Sequence, residues 1–305
     1  MSVEVEIRDV SPRDGLQDHF EFVPTTTKTE LVRRLAEAGV GSIEVTSFVS
    51  PKVVPQLADA ADLCEQVLAQ RAEQRAGTRF AAFVGTRSWL DNALAWELDE
   101  ISIAVPATDG MSQANFRRDT VAMLEQAAVM RSDAPETLMS ATVAVAFGCP
   151  FDGAVFADRV VSLAASLREA GYDRIFLGDT IGVADPEQVR KVVATLVRSL
   201  PDTTIGVHFH DCRGAAVANV VAAVEAGARL VDASLAGIGG CPFAPGAAGN
   251  VALEDVVWVL EAMGVRTGID REAVTDAARW LAETLKIPLG SKTPRHRLFD
   301  WEESV

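Results

Sequence analysis

The chain has 305 residues, 49% of them hydrophobic, with a formal net charge of −15 and a pI near 4.7. Such acidity argues against nucleic acid or an anionic membrane surface as the main partner, but leaves room for an anionic small ligand held by a local arginine. No apolar run approaches the ~18 residues of a membrane span. The opening MSVEVEIRDV has neither the basic nor the apolar region of a signal peptide, and Cys64, Cys149, Cys212 and Cys241 form no CxxC pair. A reduced, cytoplasmic protein without a disulfide framework or structural zinc is expected.

In chain order, β-branched runs alternate with alanine-rich amphipathic ones. The strand VEVEIRDV leads through SPRDGLQ to a helix over 28–38. GSIEVTS is followed by the helical LADAADLCEQVLAQ, in which Cys64 reads as packing. TRFAAFV, EISIAV and LMSATVAVAF follow, then a helix over 155–170, DRIFLGDT, a helix over 186–200, TIGVHFH, a helix over 215–225 and RLVDASLA. The glycine-rich AGIGGCPFAPGAAGN comes next, then a helix over 253–263. EAGV, EAGY and EAGA each place glycine just past a helix end. Strands alternating with helices give a parallel sheet, and eight such units predict an α/β (β/α)8 TIM barrel over 1–268. Residues 269–305 read as a C-terminal helix and tail packed on it. The alternative, an open doubly wound sheet, has fewer strands and a GxGxxG after the first; SPRDGLQ stands there instead.

In a barrel, function lies at the C-terminal ends of the strands. Those ends offer Arg13, Asp14 and Gln17, then Glu44 and Ser47, Asp179 and Thr180, the HFHD block, and the loop holding Cys241 and Asn250. Residues i and i+2 of a strand share a face, so His208 and His210 both point into the mouth. They are either a hydrogen-bonded core pair or two ligands of a divalent metal. Closure of the barrel makes the seventh, eighth and first strands adjacent, so Asp14 and Asn250 can complete the ligand set. Two N and two O donors leave about two positions of an octahedron open, as a catalytic metal needs. Ligand softness favours Mn, Fe, Co or Zn over Mg. Amidohydrolase barrels carry H-x-H on the first strand, not the seventh. Arg13 is either a surface ion pair or a stabiliser of a developing oxyanion. Asp211 reads as a helix cap. Glu44 and Asp179 could orient other groups, touch substrate, or pair with Arg13, and one of the first two is expected of each. Cys149, in the loop after the fifth strand, either lines the mouth or is structural, and Cys212 reads as a small residue at a helix start.

SPRDGLQ, IEVTSFVSPKVVPQLAD, FGCPFDG, LGDTIGVADP, HFHDCRGAAVANVVAAVEAGA and DASLAGIGGCPFAPGAAGNVALED together resemble the 3-hydroxy-3-methylglutaryl-CoA lyases, part of a wider group of metal-dependent lyase and synthase barrels. The resemblance runs collinearly from about residue 3 to 263. It implies retro-Claisen cleavage of a 3-hydroxy-3-methylglutaryl-CoA-like substrate to acetyl-CoA and acetoacetate, as in leucine catabolism and ketone-body metabolism. It further implies Mg2+ or Mn2+ on Asp14, His208, His210 and Asn250, with Arg13, Asp14 and Cys241 catalytic. Arg13 would neutralise the thioester oxygen, and Cys241 would transfer a proton as its loop closes. Gln17, Glu44, Ser47, Asn115, Asp179 and Thr180 would line the substrate. Barrels of this type often form homodimers. HDCRGA, Phe243, the block AVPATDGMSQANFRRDT and the tail after Leu289 depart from the family pattern. They leave open a different branched 3-hydroxyacyl-CoA, or a condensing synthase.

The position of Cys241 between glycine pairs and prolines generates a test. Cys241→Ala is expected to keep fold and metal binding, by circular dichroism and metal titration, while losing most turnover. Surviving turnover would reduce the loop to a lid.

Overall fold

A computed structural model describes residues 3–71, 77–240 and 249–293. Eight strands, β1 (Glu6–Asp9), β2 (Ser42–Ser47), β3 (Arg79–Phe83), β4 (Glu100–Pro106), β5 (Leu138–Ala144), β6 (Arg174–Asp179), β7 (Thr204–Phe209) and β8 (Leu230–Ala233), form a closed barrel in sequence order. Every neighbouring pair is parallel, including the closing one, in which Glu6–Asp9 run beside Leu230–Ala233. Helices cover the outer face, which is why these strands read as nearly unbroken apolar runs. The structure is thus the expected TIM barrel.

The helices sit within three residues of the expected ranges, at Thr25–Glu37, Ala157–Glu169, Pro186–Ser199, Ala216–Glu225 and Leu253–Ala262. The first begins three residues early because Pro24 stands just ahead of it and the Thr29 hydroxyl donates back to the Thr25 carbonyl. The block after β4 folds into a short helix, Asp109–Phe116, whose first turn is capped by Thr108. Gly39, Gly171 and Gly227, the glycines of the three EAG repeats, all adopt left-handed backbone conformations with φ of 86°, 101° and 113°. A side chain would strain each of these helix exits, so the chain turns back toward the barrel only through glycine. The C-terminal helix Arg271–Leu285 packs on Thr25–Glu37 and on the turn Leu235–Gly237 that follows β8, with Arg34 over the Trp280 ring at 4.5 Å.

Barrel interiors are commonly filled by branched apolar side chains; this one also carries charge. Arg8 bonds Asp232 through two nitrogens at 2.8 Å each and reaches Glu100 at 3.3 Å and the Ser140 hydroxyl at 3.1 Å. Glu100 in turn accepts from Arg174 at 2.8 Å, and Arg174 pairs with Glu6. Arg8, Glu100 and Asp232 are buried, and charges there persist only when paired.

Candidate active site

The residues after β1 make one tight turn, in which the Gly15 amide donates to the Val10 carbonyl at 3.0 Å and the Gln17 amide to Arg13. Glycine is required at 15 because a Cβ would lie 2.7 Å from Ile238, the residue that brings the β8 loop against this turn. The turn presents Arg13 and Asp14 together. Arg13 donates through Nη1 to Asp14 Oδ1 at 2.6 Å and through Nε to Glu44, and its guanidinium lies 4.8 Å from the Phe83 ring centroid. Glu44, expected to orient other groups or touch substrate, instead takes the third role and forms the ion pair with Arg13. It is fully buried, and its second oxygen accepts from the Ser102 hydroxyl.

Opposite this turn, His208 on β7 and His210 just past its end bring their Nε2 atoms to 3.2 Å. His210 bridges in antiparallel fashion to Asn250, which is drawn in by Val251 N–H donating to the Phe209 carbonyl. Asn250 Nδ2 donates to Asp14 Oδ2 at 2.8 Å. One ligand atom each from Asp14, His208 and His210 lies within 4.8 Å of the others.

Three observations show that this set fits a cation. Asn250 Oδ1 is buried with no hydrogen-bond partner among the described residues. Two nitrogens bound side by side at ~2.1 Å to one ion lie about 3 Å apart, and the imidazoles stand at 3.2 Å. The protonation chemistry of Asp14 and His210 agrees as well. Burial would raise the Asp14 carboxyl, but Arg13, both imidazoles and Asn250 outweigh it and hold it at about 2. Burial and the neighbouring His208 push His210 down to about 4. Burial also pulls on His208, but Asp232 and Asp14 reverse the direction and leave it raised, so a cation there would displace a proton. A ligand carboxylate that stays ionised and an imidazole that stays neutral are what a metal requires.

The remaining expected residues are placed as follows. Asp179 is buried and accepts from the Val183 and Ala184 amides at 2.9 and 3.0 Å, and Thr180 Oγ1 accepts from the Val145 amide at 3.0 Å. Both therefore hold strand-end loops in place. Ser47 is buried with an unpartnered hydroxyl, Gln17 is half-buried, and Asn115 is exposed on Asp109–Phe116. Asp211 is not the helix cap expected of it, a place that Ala215 takes, but it accepts from the amide of Ala216, the first helical residue, at 3.0 Å. Cys149 is buried, its sulfur 3.0 Å from the Thr108 hydroxyl. Cys241 and Phe243 lie outside the described residues.

Sequence reasoning missed the groups that hold these residues. Asp232 lies 3.1 Å from His208 Nδ1. Asp9 accepts from the Ser11 amide and hydroxyl and from the Leu235 amide, and Glu254 accepts from the Ala236 amide at 3.1 and 3.2 Å. Two buried carboxylates thus pin the segment from which the β8 loop departs. The available signal was charge inside otherwise apolar strand runs, VEIRDV and LVDAS, since a charge in a covered parallel strand must find a partner.

Comparison with known proteins places this architecture. The HMGL-like family model matches residues 4–281. The chain is 36% identical to a hydroxymethylglutaryl-CoA lyase of Bacillus subtilis, over 95% of this chain and 96% of that one. It is 40% identical to an (R)-citramalyl-CoA lyase of Chloroflexus aurantiacus, over 93% and 92%. A solved HMG-CoA lyase of Acinetobacter baumannii, in complex with coenzyme A and 3-methylmalate, superposes with a TM-score of 0.89 at 33% identity, covering 96% of this chain and 94% of that one.

The Glu254 clamp generates a pH prediction. Burial, opposed by the Ala236 amide, pushes the Glu254 carboxyl up to about 7. The folded state then holds a proton that the unfolded state releases near 4.5, so the stabilisation is complete below 4.5 and is lost as pH rises through about 7. Glu254→Gln escapes this loss. Urea unfolding should show the variant gaining on the wild type by ~1–3 kcal/mol between pH 5 and pH 8. A difference that does not change with pH would refute the clamp's titration.

Proposed function

Because this chain belongs to the HMGL-like family, we propose that it is a carbon–carbon lyase cleaving 3-hydroxy-3-methylglutaryl-CoA to acetyl-CoA and acetoacetate. The observation that carries this reading is the convergence of Asp14, His208 and His210 with Arg13 beside them at the barrel mouth.

Asp14, His208, His210 and Asn250 would hold a divalent cation, Mg2+ or Mn2+. When bound, it supplies Lewis-acid polarisation of substrate oxygens. Cleavage also requires that the C3 hydroxyl lose a proton, that negative charge on the departing thioester enolate be neutralised, and that a proton reach its C2 carbon. Arg13 is built for the second task. Glu44 and Asp14 fix its Nε and Nη1, Phe83 carries its flat face, and Nη2 has no partner among the described residues. The remaining donor edge is therefore available to an anionic oxygen. A guanidinium held on two sides is preorganised, so little reorganisation opposes charge development. Cys241 is proposed as the thiol that delivers a proton as its loop closes. Gln17, Ser47 and Asn115 are proposed to meet the acyl or CoA portion, with Asp179 and Thr180 shaping the wall behind them.

A second reading has its own support. A relative as similar as any reported above is named a citramalyl-CoA lyase, and the A. baumannii complex holds 3-methylmalate, a methylated hydroxydicarboxylate. The same carbon–carbon cleavage could therefore act on a differently substituted 3-hydroxyacyl-CoA.

Purified protein with Mg2+ or Mn2+ and a panel of 3-hydroxyacyl-CoA thioesters, analysed by mass spectrometry, distinguishes the two. The highest kcat/KM is expected for the 3-hydroxy-3-methylglutaryl thioester. A better citramalyl thioester would establish the second reading, and no acyl-CoA product with any thioester or metal would overturn both. In the same assay Arg13→Lys should lower kcat at least about 100-fold, because an ammonium cannot reproduce the fork, while metal affinity stays near wild type. Parallel loss of metal binding would make Arg13 only the holder of Asp14.

A further inference from the structure

We infer that Asp232, held in place by Arg8, is the positioning residue that aims His208 at the cation. The inference rests on the metal site proposed above.

Three adjacent strands carry the arrangement in one row. His208 on β7 is registered with Asp232 on β8, and Asp232 with Arg8 on β1. Asp232 Oδ2 lies 3.1 Å from His208 Nδ1 and also accepts from Arg8 Nη2 at 2.8 Å, while Oδ1 accepts from Arg8 Nε at 2.8 Å. The carboxylate is therefore fixed in plane by a two-pronged guanidinium, the most directional partner a carboxylate can have. Arg8 is itself immobilised. Its Nη1 reaches Glu100 and Ser140, and its guanidinium carbon lies 4.2 Å from the centroid of the Phe176 ring.

An ionised carboxylate only accepts hydrogen bonds, so the nitrogen facing it must carry the proton. In its neutral form His208 then holds its proton on Nδ1, and Nε2 presents a bare lone pair. That lone pair faces His210 Nε2 at 3.2 Å, in the cluster that includes Asp14. Without Asp232 the ring could protonate on either nitrogen and rotate about χ2, and the lone pair would be misdirected for part of the time.

The competing explanation is that Arg8 and Asp232 form an ion pair serving the barrel core alone. Desolvation makes a buried pair a poor stabiliser compared with apolar residues of similar volume, so the two explanations predict opposite results when the pair is replaced.

Two variants and three measurements decide between them. In Asp232→Asn the carboxylate is lost and the shape is kept. The double replacement Arg8→Met with Asp232→Leu removes the pair without stranding a buried charge, and covers the case in which Asp232→Asn fails to fold. Nitrogen-15 spectra of the imidazoles, recorded on the metal-free protein at a pH high enough to leave His208 neutral, should show it protonated on Nδ1 in the wild type and divided between both nitrogens in the variants. Mn2+ affinity, measured by competition with a chelator, should fall about 10–100-fold in both. Urea unfolding should find the double variant at least as stable as the wild type. A wild-type His208 protonated on Nε2, or a folded variant that binds Mn2+ as tightly as the wild type, would overturn the inference. So would a double variant that is destabilised while binding metal normally. A wild type that binds neither Mn2+ nor Mg2+ would instead defeat the metal site, and the metal-free spectra would still decide the role of Asp232.

Discussion

The pairing of β8 with β1 closes the barrel, and the geometry at its mouth depends on that closure. Arg8, Asp9 and Asp14 belong to the first twentieth of the chain, whereas His208, Asp232 and Asn250 lie more than 190 residues further on. Only the closing ladder, with Glu6 beside Leu230 and Asp9 beside Ala233, sets them side by side. Once it forms, Asn250 reaches Asp14 at 2.8 Å and Asp9 reaches the Leu235 amide at 3.1 Å. The same closure excludes water from the interior, which is what turns these contacts into strong electrostatic ones.

Charge then organises the site in layers. At the mouth, Arg13 keeps Asp14 ionised, while Glu44 and Ser102 behind Arg13 keep the guanidinium from turning. Beneath the histidines, Asp232 and Arg8 link the site to Glu100 and Arg174 deeper in the barrel. A buried ionic chain of this kind contributes little net stability. Its physical contribution is directional: guanidinium and carboxylate planes fix one another, and a strand cannot slip by one residue without separating them. The frame of the site thus consists of strand residues, on which the segments carrying Arg13, Asp14 and Asn250 are set.

The β8 loop departs from an unusually well-held root. Asp9, from β1, takes the Leu235 amide, and Glu254, from the helix Leu253–Ala262, takes the Ala236 amide. Ala236 and Gly237 both turn with positive φ. Gly290, beyond the C-terminal helix, donates to the Ala236 carbonyl at 3.0 Å, so the C-terminal segment also secures this root. Asn250, beyond this root, stays beside His210 through their antiparallel bridge.

Much of this was legible in the order of residues, for local reasons. The period of two on a strand put His208 and His210 on one face, glycine after EA marked three helix ends, and eight alternating units with no GxGxxG pointed to a closed barrel. Given closure, Asp14 and Asn250 followed as partners of the histidines. The tertiary structure alone decided what depends on contacts across long separations. Glu44 is the partner of Arg13 because β2 stands beside the turn after β1, a fact of packing that no spacing encodes. Asp179 and Thr180 hold backbone amides instead of standing free. Arg8 and Asp232 read as unremarkable strand charges until the ladder joins them across 224 residues. The sequence by itself determined which chemical groups the protein has and which face of each element they occupy, because those follow from residue type and backbone period. Which group touches which, and hence which way each proton and lone pair points, was decided by the closed fold, because hydrogen bonds and ion pairs depend on distances of a few ångströms that only packing sets.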